Sequence, residues 1–240
     1  MAETMTATQT RTVVDVRSVS KVYRVGKVEA PALRGITLKI QEAEFAAIVG
    51  PSGSGKTTLL NIIGCIDEPT EGEVLLGDRP VSGLSTRERS EVRKNEIGFV
   101  FQTFNLVPVL SAFENVELPL LLLKQSPDER RKKVVELLEK VGLGDFVDRR
   151  PAEMSGGQQQ RVAVARALVK NPKIVLADEP TANLDSATGE GILELMRDLN
   201  RDLGITFIFS THDRMVMDFA RRLIVLHDGR VVEDRTKEGK

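Results

Sequence analysis

The chain has 240 residues, with 34 Lys plus Arg against 35 Asp plus Glu, a formal net charge of −1. That balance argues against a nucleic-acid binder, which would carry a basic excess. The length allows one large α/β domain or two small ones, with a substantial buried core. The single cysteine, Cys65, excludes an internal disulfide and reads as a small buried residue on a helix.

In chain order, Met1 to Thr12 is polar, Thr-rich and without an apolar h-region, so it reads as a flexible tail and not as a signal peptide. Val13 to Tyr23 and Leu33 to Ile40 read as strands. Phe45-Ala46-Ala47-Ile48-Val49 is a short apolar run of the kind a buried parallel strand requires. Thr58 to Ile66 reads as a helix with a broad apolar face, Gly72 to Gly77 as an edge strand, and Arg87 to Asn95 as a charged, solvated helix.

From about Thr103 to Met154 the β-branched runs disappear and helix signals take over. Ser126-Pro127-Asp128-Glu129 carries an N-cap, a proline at the first helical position and a capping-box glutamate, and Gly142 supplies the stop. This span is expected to be a helical subdomain inserted in an α/β core. The longest apolar run, Leu118 to Leu123, is far short of the roughly 20 residues that span a bilayer, so any membrane role is expected to run through a partner.

The last third alternates again. Gly157 to Lys170 reads as a helix, Ile174 to Ala177 as a buried strand, and Asp185 to Gly204 as a capped amphipathic helix. Ile205 to Phe209 reads as another strand. Leu223 to Leu226 and Arg230 to Glu233 flank the hairpin signal Asp228-Gly229.

Three stretches carry chemistry. Gly50-Pro51-Ser52-Gly53-Ser54-Gly55-Lys56-Thr57 fits the pattern G-x-x-x-x-G-K-[ST], preceded by a strand and followed by a helix. Its backbone N–H groups suit phosphate oxygens, Lys56 suits the β- and γ-phosphates, and Thr57 suits Mg²⁺. Asp178 and Glu179 follow an apolar strand, where open α/β sheets place ligands. One carboxylate for a metal and one for an attacking water is what phosphoryl transfer needs. Ser155, Gly156, Gly157 and Gln158 open a second helix whose N–H groups make another anion site. One subunit needs only one phosphate cradle, so the second suits a neighbour's nucleotide.

The run Met154-Ser155-Gly156-Gly157-Gln158-Gln159-Gln160-Arg161, between the phosphate loop and Asp178-Glu179-Pro180-Thr181, resembles the ATP-binding-cassette (ABC) ATPases from about Val13 to Asp234. The resemblance implies a P-loop NTPase (RecA-like) core with an antiparallel β subdomain and the inserted helical subdomain. It implies ATP and Mg²⁺ as ligands and Thr58 beside the loop as a further nucleotide contact. Tyr23 would stack on adenine, Gln102 would touch Mg²⁺ and the attacking water, and His212 would contact the γ-phosphate. Asp185, in Ala182-Asn183-Leu184-Asp185, would cross a dimer interface, and it also suits a helix N-cap. Met154 stands where leucine is usual in the family, and Ala43 stands where a turn glycine is common.

The further implications are an ATP-dependent homodimer, an integral membrane permease as partner, and a peripheral place on the cytoplasmic face of the membrane. The segment from Gly98 to Leu120 looks like the subgroup serving lipoprotein release and macrolide or peptide export. Phe104, Leu106, Val107, Val109 and Leu110 are numerous for a surface segment, and some would line a groove for a short helix of the membrane subunit. The alternative is an ABC ATPase that regulates a non-transporting membrane protein, such as a cell-division complex. No Asn-Lys-x-Asp stretch is present, which disfavours a GTPase.

Overall fold

The computed structural model describes residues 11 to 237 except residue 27. The elements in chain order are β1 (Thr12–Val25), β2 (Val28–Gln41), β3 (Phe45–Val49), α1 (Lys56–Ile63), β4 (Glu71–Leu76), β5 (Arg79–Pro80), α2 (Thr86–Glu96) and β6 (Ile97–Val100). There follow α3 (Ala112–Leu121), α4 (Pro127–Lys140), two single 3₁₀ turns, α5 (Gly156–Leu168), β7 (Ile174–Asp178), α6 (Ser186–Leu203), β8 (Thr206–Thr211), α7 (Arg214–Phe219), β9 (Arg222–His227) and β10 (Arg230–Thr236).

The strands form two sheets. One is antiparallel, in the order β2-β1-β4-β5; the other runs β10-β9-β3-β8-β7-β6 and is parallel from β9 to β6. The period-2 alternation of the short apolar strands explains the layering. Phe45, Ala47 and Val49 of β3 face one core with Phe207, Phe209 and the helices α5 and α6. Ala46 and Ile48 face a second core with α1 and the antiparallel sheet. Every residue of β3 is buried because both faces are covered. The rings of Phe45 and Phe209 lie 4.6 Å apart, which locks β3 to β8 under the phosphate loop.

The segment between β6 and α5 is helical, and α3 and α4 pack on the first core through Val116, Leu120, Val134 and Leu138. Ser111, Ser126 and Ser155 each close a capping box, with Glu114, Glu129 and Gln158. Asn115 on α3 is fully buried and holds the loop before it. Its Nδ2 donates to the carbonyls of Val107, Leu110 and Ser111, and its Oδ1 accepts from Val107 N–H at 2.8 Å. Asn115→Ala strands those groups, so it is expected to cost about 3 kcal/mol. A urea titration that showed an unchanged midpoint would contradict this.

Three expectations need correction. Glu71–Leu76 is not an edge strand, because β4 lies between β1 and the two-residue β5. Thr12, expected in the tail, pairs with Gln41, while residues 1 to 10 lie outside the described residues. Helix α1 stops at Ile63, so Cys65 lies beyond it, buried and with φ 55. Burial pushes its thiol up to about 11, which makes it a poor nucleophile. Finally, β6, α3 and α7 are elements that the sequence pattern did not single out.

Candidate functional site

The parallel strands end together at one edge of the six-stranded sheet. Val49 is in register with Thr211, and Asp178 with Ser210. Loops leaving those ends therefore converge on one cleft, as open α/β sheets require. The cleft measures about 450 Å³ and is lined by Ala32, Pro51, Ser52, Gly53, Gly55, Lys56, Thr57, Thr58, Gln102, Glu179, Ala182 and His212.

Lys56 is the first residue of α1 and is buried. Its Nζ donates to the carbonyl of Gly50 at 2.9 Å and that of Pro51 at 3.0 Å. The loop thus curls round its own ammonium, with Gly55 in a left-handed turn at φ 104 just before the helix. The Thr57 hydroxyl lies 3.3 to 3.4 Å from both carboxylate oxygens of Asp178. Hydroxyl, carboxylate and the amide of Gln102 are hard oxygen donors suited to magnesium. No cluster of three His, Cys, Asp or Glu that could hold a metal exists among the described residues. The donor set fits an ion that arrives with a nucleotide.

Glu179 is the most heavily tethered group in the cleft. Its Oε2 accepts from the Thr211 hydroxyl at 2.9 Å, and its Oε1 accepts from His212 N–H at 3.2 Å. His212 Nδ1 lies 2.6 Å from the same Oε1. The main chain at Glu179 has φ 46, a region that side chains other than glycine, Asn and Asp seldom occupy. Its N–H still donates to Ser210 O at 2.9 Å, extending the β7–β8 ladder by one residue before the chain turns away. Asp213 fixes the far side: its Oδ2 accepts from the Thr181 hydroxyl at 3.1 Å, and its N–H donates to Thr211 Oγ1 at 2.9 Å.

Other candidate residues lie off this cleft. Tyr23 sits on β1 beside Thr58. Its hydroxyl donates to Asp67 Oδ2 at 2.8 Å, Lys21 Nζ lies 4.9 Å from the ring centre, and burial pushes its phenol up. Gly50 and Ser54 belong to the loop but do not line the cleft. Asp185 caps α6, accepting from Thr188 N–H at 3.0 Å and from the Thr188 hydroxyl at 2.6 Å. Those two bonds hold its carboxyl below the usual range. Asn183 Nδ2 donates to the carbonyl of Gln102 at 2.9 Å, which joins two of the candidate loops.

Ser155, Gly156, Gly157 and Gln158 are outside the cleft as well. Ser155 Oγ accepts from Gln158 N–H at 3.3 Å, and Ser155 N–H donates to Gln158 Oε1 at 2.8 Å. A β-carbon on Gly157 would sit 2.4 Å from the Thr188 methyl, so the absence of a side chain lets α5 and α6 approach. Within one chain, then, the second phosphate-suited helix start does not line the cleft formed by the first. Residues to which sequence reasoning gave no role are Ala32, Thr211 and Asp213, and Ala182, expected in an interface loop, also lines the cleft. The polar run Ser210-Thr211-His212-Asp213 after an apolar strand was the available signal for Thr211 and Asp213.

Residues 33–182 match the family described as ABC transporter. The chain belongs to the ABC transporter family. More specifically, it is an ATP-binding cassette, an ATPase domain. The cassette is 48% identical over 230 residues to the uncharacterized ABC transporter ATP-binding protein MJ0796 of Methanocaldococcus jannaschii, covering 94% of this chain and 98% of that protein. It is 46% identical to the macrolide export ATP-binding/permease protein MacB of Syntrophobacter fumaroxidans, over 90% of this chain but 30% of that protein. A solved dimeric structure of the MJ0796 cassette in a post-hydrolysis state, bound to ADP and Pi, superposes on the cassette with a TM-score of 0.85 at 48% identity, covering 95% of this chain and 100% of that one. No helix of the cassette among the described residues is long and apolar enough to cross a membrane.

Proposed function

We propose that the cassette hydrolyses ATP in two composite sites of a homodimer and so drives an integral membrane permease in export or lipoprotein release, from the cytoplasmic face. The observation that carries this reading is the separation just described. Lys56, Thr57, Asp178, Glu179, Gln102 and His212 lie at one cleft, while Ser155, Gly156, Gly157 and Gln158 do not line it. The dimeric, ADP- and Pi-bound structure of a relative supports the pairing, and the relatives named as ATP-binding/permease proteins support the membrane partner.

In this reading the loop amides from Gly53 to Thr57 and the Lys56 ammonium bind the phosphates. Lys56 exchanges its two loop carbonyls for phosphate oxygens, so charge recognition replaces internal hydrogen bonds without moving the helix. Thr58 and Tyr23 flank the loop toward the base. Magnesium would be held by Thr57, Asp178 and Gln102, and would neutralise charge on the β- and γ-phosphates. Glu179 orients the attacking water and takes its proton, and its bonds from Thr211 and His212 fix the carboxylate plane. His212 sits at the cleft wall, where its imidazole stabilises charge on the transferring group. Ser155, Gly156, Gly157 and Gln158 of one protomer close over the nucleotide of its partner, and Asp185 lies at the seam. ATP thereby favours the closed state and its hydrolysis the open one, which is a ligand-biased two-state equilibrium. Equilibrium sedimentation of Glu179→Gln in ATP at micromolar protein should show dimers; a strict monomer would refute the shared-site reading.

For the permease contact, the structure offers a groove of about 230 Å³ beside β6. Its walls are Phe99, Phe101, Asn105, Pro119, Arg166 and Lys170, with the Phe99 and Phe101 rings stacked at 5.7 Å. Of Phe104, Leu106, Val107, Val109 and Leu110, some of which were expected to line a groove, none lines this one: Leu106 packs on the core, and Val109 is 72% exposed. Phe104 and Asn105 turn back with φ 57 and 51, and Arg166 clamps their carbonyls at 2.6 and 2.5 Å. The groove is thus short, apolar and rigidly floored, a shape suited to one helix turn. Phe101→Asp is expected to reduce capture of a permease in detergent pull-down by about tenfold. Undiminished capture would remove the groove from the account.

A further inference from the structure

The loop at residues 50–57 is braced from behind by the last hairpin of the chain. Gly229 N–H donates to the carbonyl of Ser54 at 3.0 Å, and Arg34 N–H donates to the carbonyl of Gly229 at 2.8 Å. One residue of the β9–β10 turn therefore links the loop to β2, across the two sheets. Ser54 is buried and its hydroxyl has no partner, so main-chain bonds alone hold it: Gly229 N–H to its carbonyl, and its own N–H to Pro51 O at 3.2 Å.

Space at this junction is as tight as the bonding. Asp228 and Gly229 have φ 47 and 73, the paired left-handed residues of a type I′ hairpin. A β-carbon on Gly229 would sit 2.6 Å from the Ala32 carbonyl oxygen and 3.1 Å from Leu33 Cα. Ala32 is itself a wall of the nucleotide cleft. A second point of contact lies on β9, where a β-carbon at Gly50 would sit 2.1 Å from the Leu226 carbonyl oxygen. Backbone therefore lies against backbone at both Gly50 and Gly229, and the Ser54 hydroxyl is the one side-chain atom among those nearest contacts.

We propose that Gly229 is a positioning residue for nucleotide binding: the Asp228-Gly229 turn sets the spacing between the loop at 50–57 and the Ala32 wall. This rests on the reading of residues 50–57 as the phosphate cradle. Gly77 provides an internal comparison. It also has positive φ, 58, at a hairpin turn, between β4 and β5, but an added β-carbon there would meet nothing within 4 Å. Left-handed strain is common to both glycines, whereas contact with the nucleotide cleft belongs to Gly229 alone.

The test uses the full chain, a fluorescent ATP analogue and steady-state kinetics. Gly229→Ala and Gly229→Asn are expected to raise both Kd and KM about tenfold with kcat within about twofold. Asparagine tolerates the left-handed backbone, so Gly229→Asn keeps the contact testable where alanine impairs folding. Gly77→Ala and Gly77→Asn carry the left-handed strain without the clash, and should show a smaller loss of thermal stability with unchanged Kd and KM. Wild-type affinity in Gly229→Asn overturns the proposal, and so does an equal loss of affinity in the Gly77 variants. Lys56→Ala separates the two readings. If it too retains affinity, the cradle assignment fails; if it alone loses affinity, only the brace fails.

Discussion

Glu179→Gln is expected to lower steady-state phosphate release by at least about a hundredfold while leaving nucleotide binding intact. The substitution is nearly isosteric, and the surrounding bonds can survive it. The amide oxygen can still accept from His212 N–H, and the amide nitrogen can donate to the Thr211 hydroxyl oxygen, which lies 2.9 Å from Glu179 Oε2. What disappears is the carboxylate's capacity to take a proton from water. Lys56, Thr57 and Asp178 are untouched, so affinity for ATP should stay within about threefold, and the loss should fall on kcat. Phosphate release within tenfold of wild type would show that another group accepts the proton. A large loss of affinity alongside kcat would show that Glu179 shapes the cleft and does not act in the chemistry.

The second large effect concerns the other helix start. Ser155→Arg places a bulky cation where the Ser155 hydroxyl now accepts from Gln158 N–H, and removes the N-cap. The cap loss costs about 1 kcal/mol, too little to unfold a cassette of this size. Nucleotide binding to the single chain should survive, because Ser155 does not line its own cleft. Turnover should fall by about a hundredfold or more, because the composite site cannot close. Mixing supplies the decisive measurement. Ser155→Arg protein retains a sound phosphate loop, and Lys56→Ala protein retains a sound Ser155 helix. If sites form between protomers, a mixture of the two inactive proteins regains activity in one composite site. No recovery, with heterodimers present, would argue that each chain works alone.

Much of this site was legible before the structure because phosphate chemistry imposes local patterns. The loop at 50–57 sits between an apolar strand and a helix, the Asp178-Glu179 pair ends an apolar strand, and the Ser155 start opens a helix with its own motif. His212 was reached through family likeness. Its anchors were not, because Thr211 and Asp213 act through single hydroxyl and carboxylate contacts that leave no spacing rule. In the fold, β3 and β7 stood out as apolar runs, and β8 as a short strand of Phe207-Ile208-Phe209 with Ile205 before it. Strand β6 did not, since Ile97–Val100 has four residues with a glycine among them. Helix α3 was obscured by Pro119 inside it and by the leucines that continue past its end. The error at β4 has a simple cause. The strand that covers it is only Arg79-Pro80, too short to announce itself.

The backbone at Glu179 has a consequence for the balance between durability and work. At φ 46 its β-carbon crowds the neighbouring peptide, a conformation that glycine would occupy more comfortably by roughly 1 kcal/mol. The contacts from Thr211 and His212 that fix its carboxylate hold the residue there, so the tension at the end of β7 is offset by the same bonds that orient the side chain.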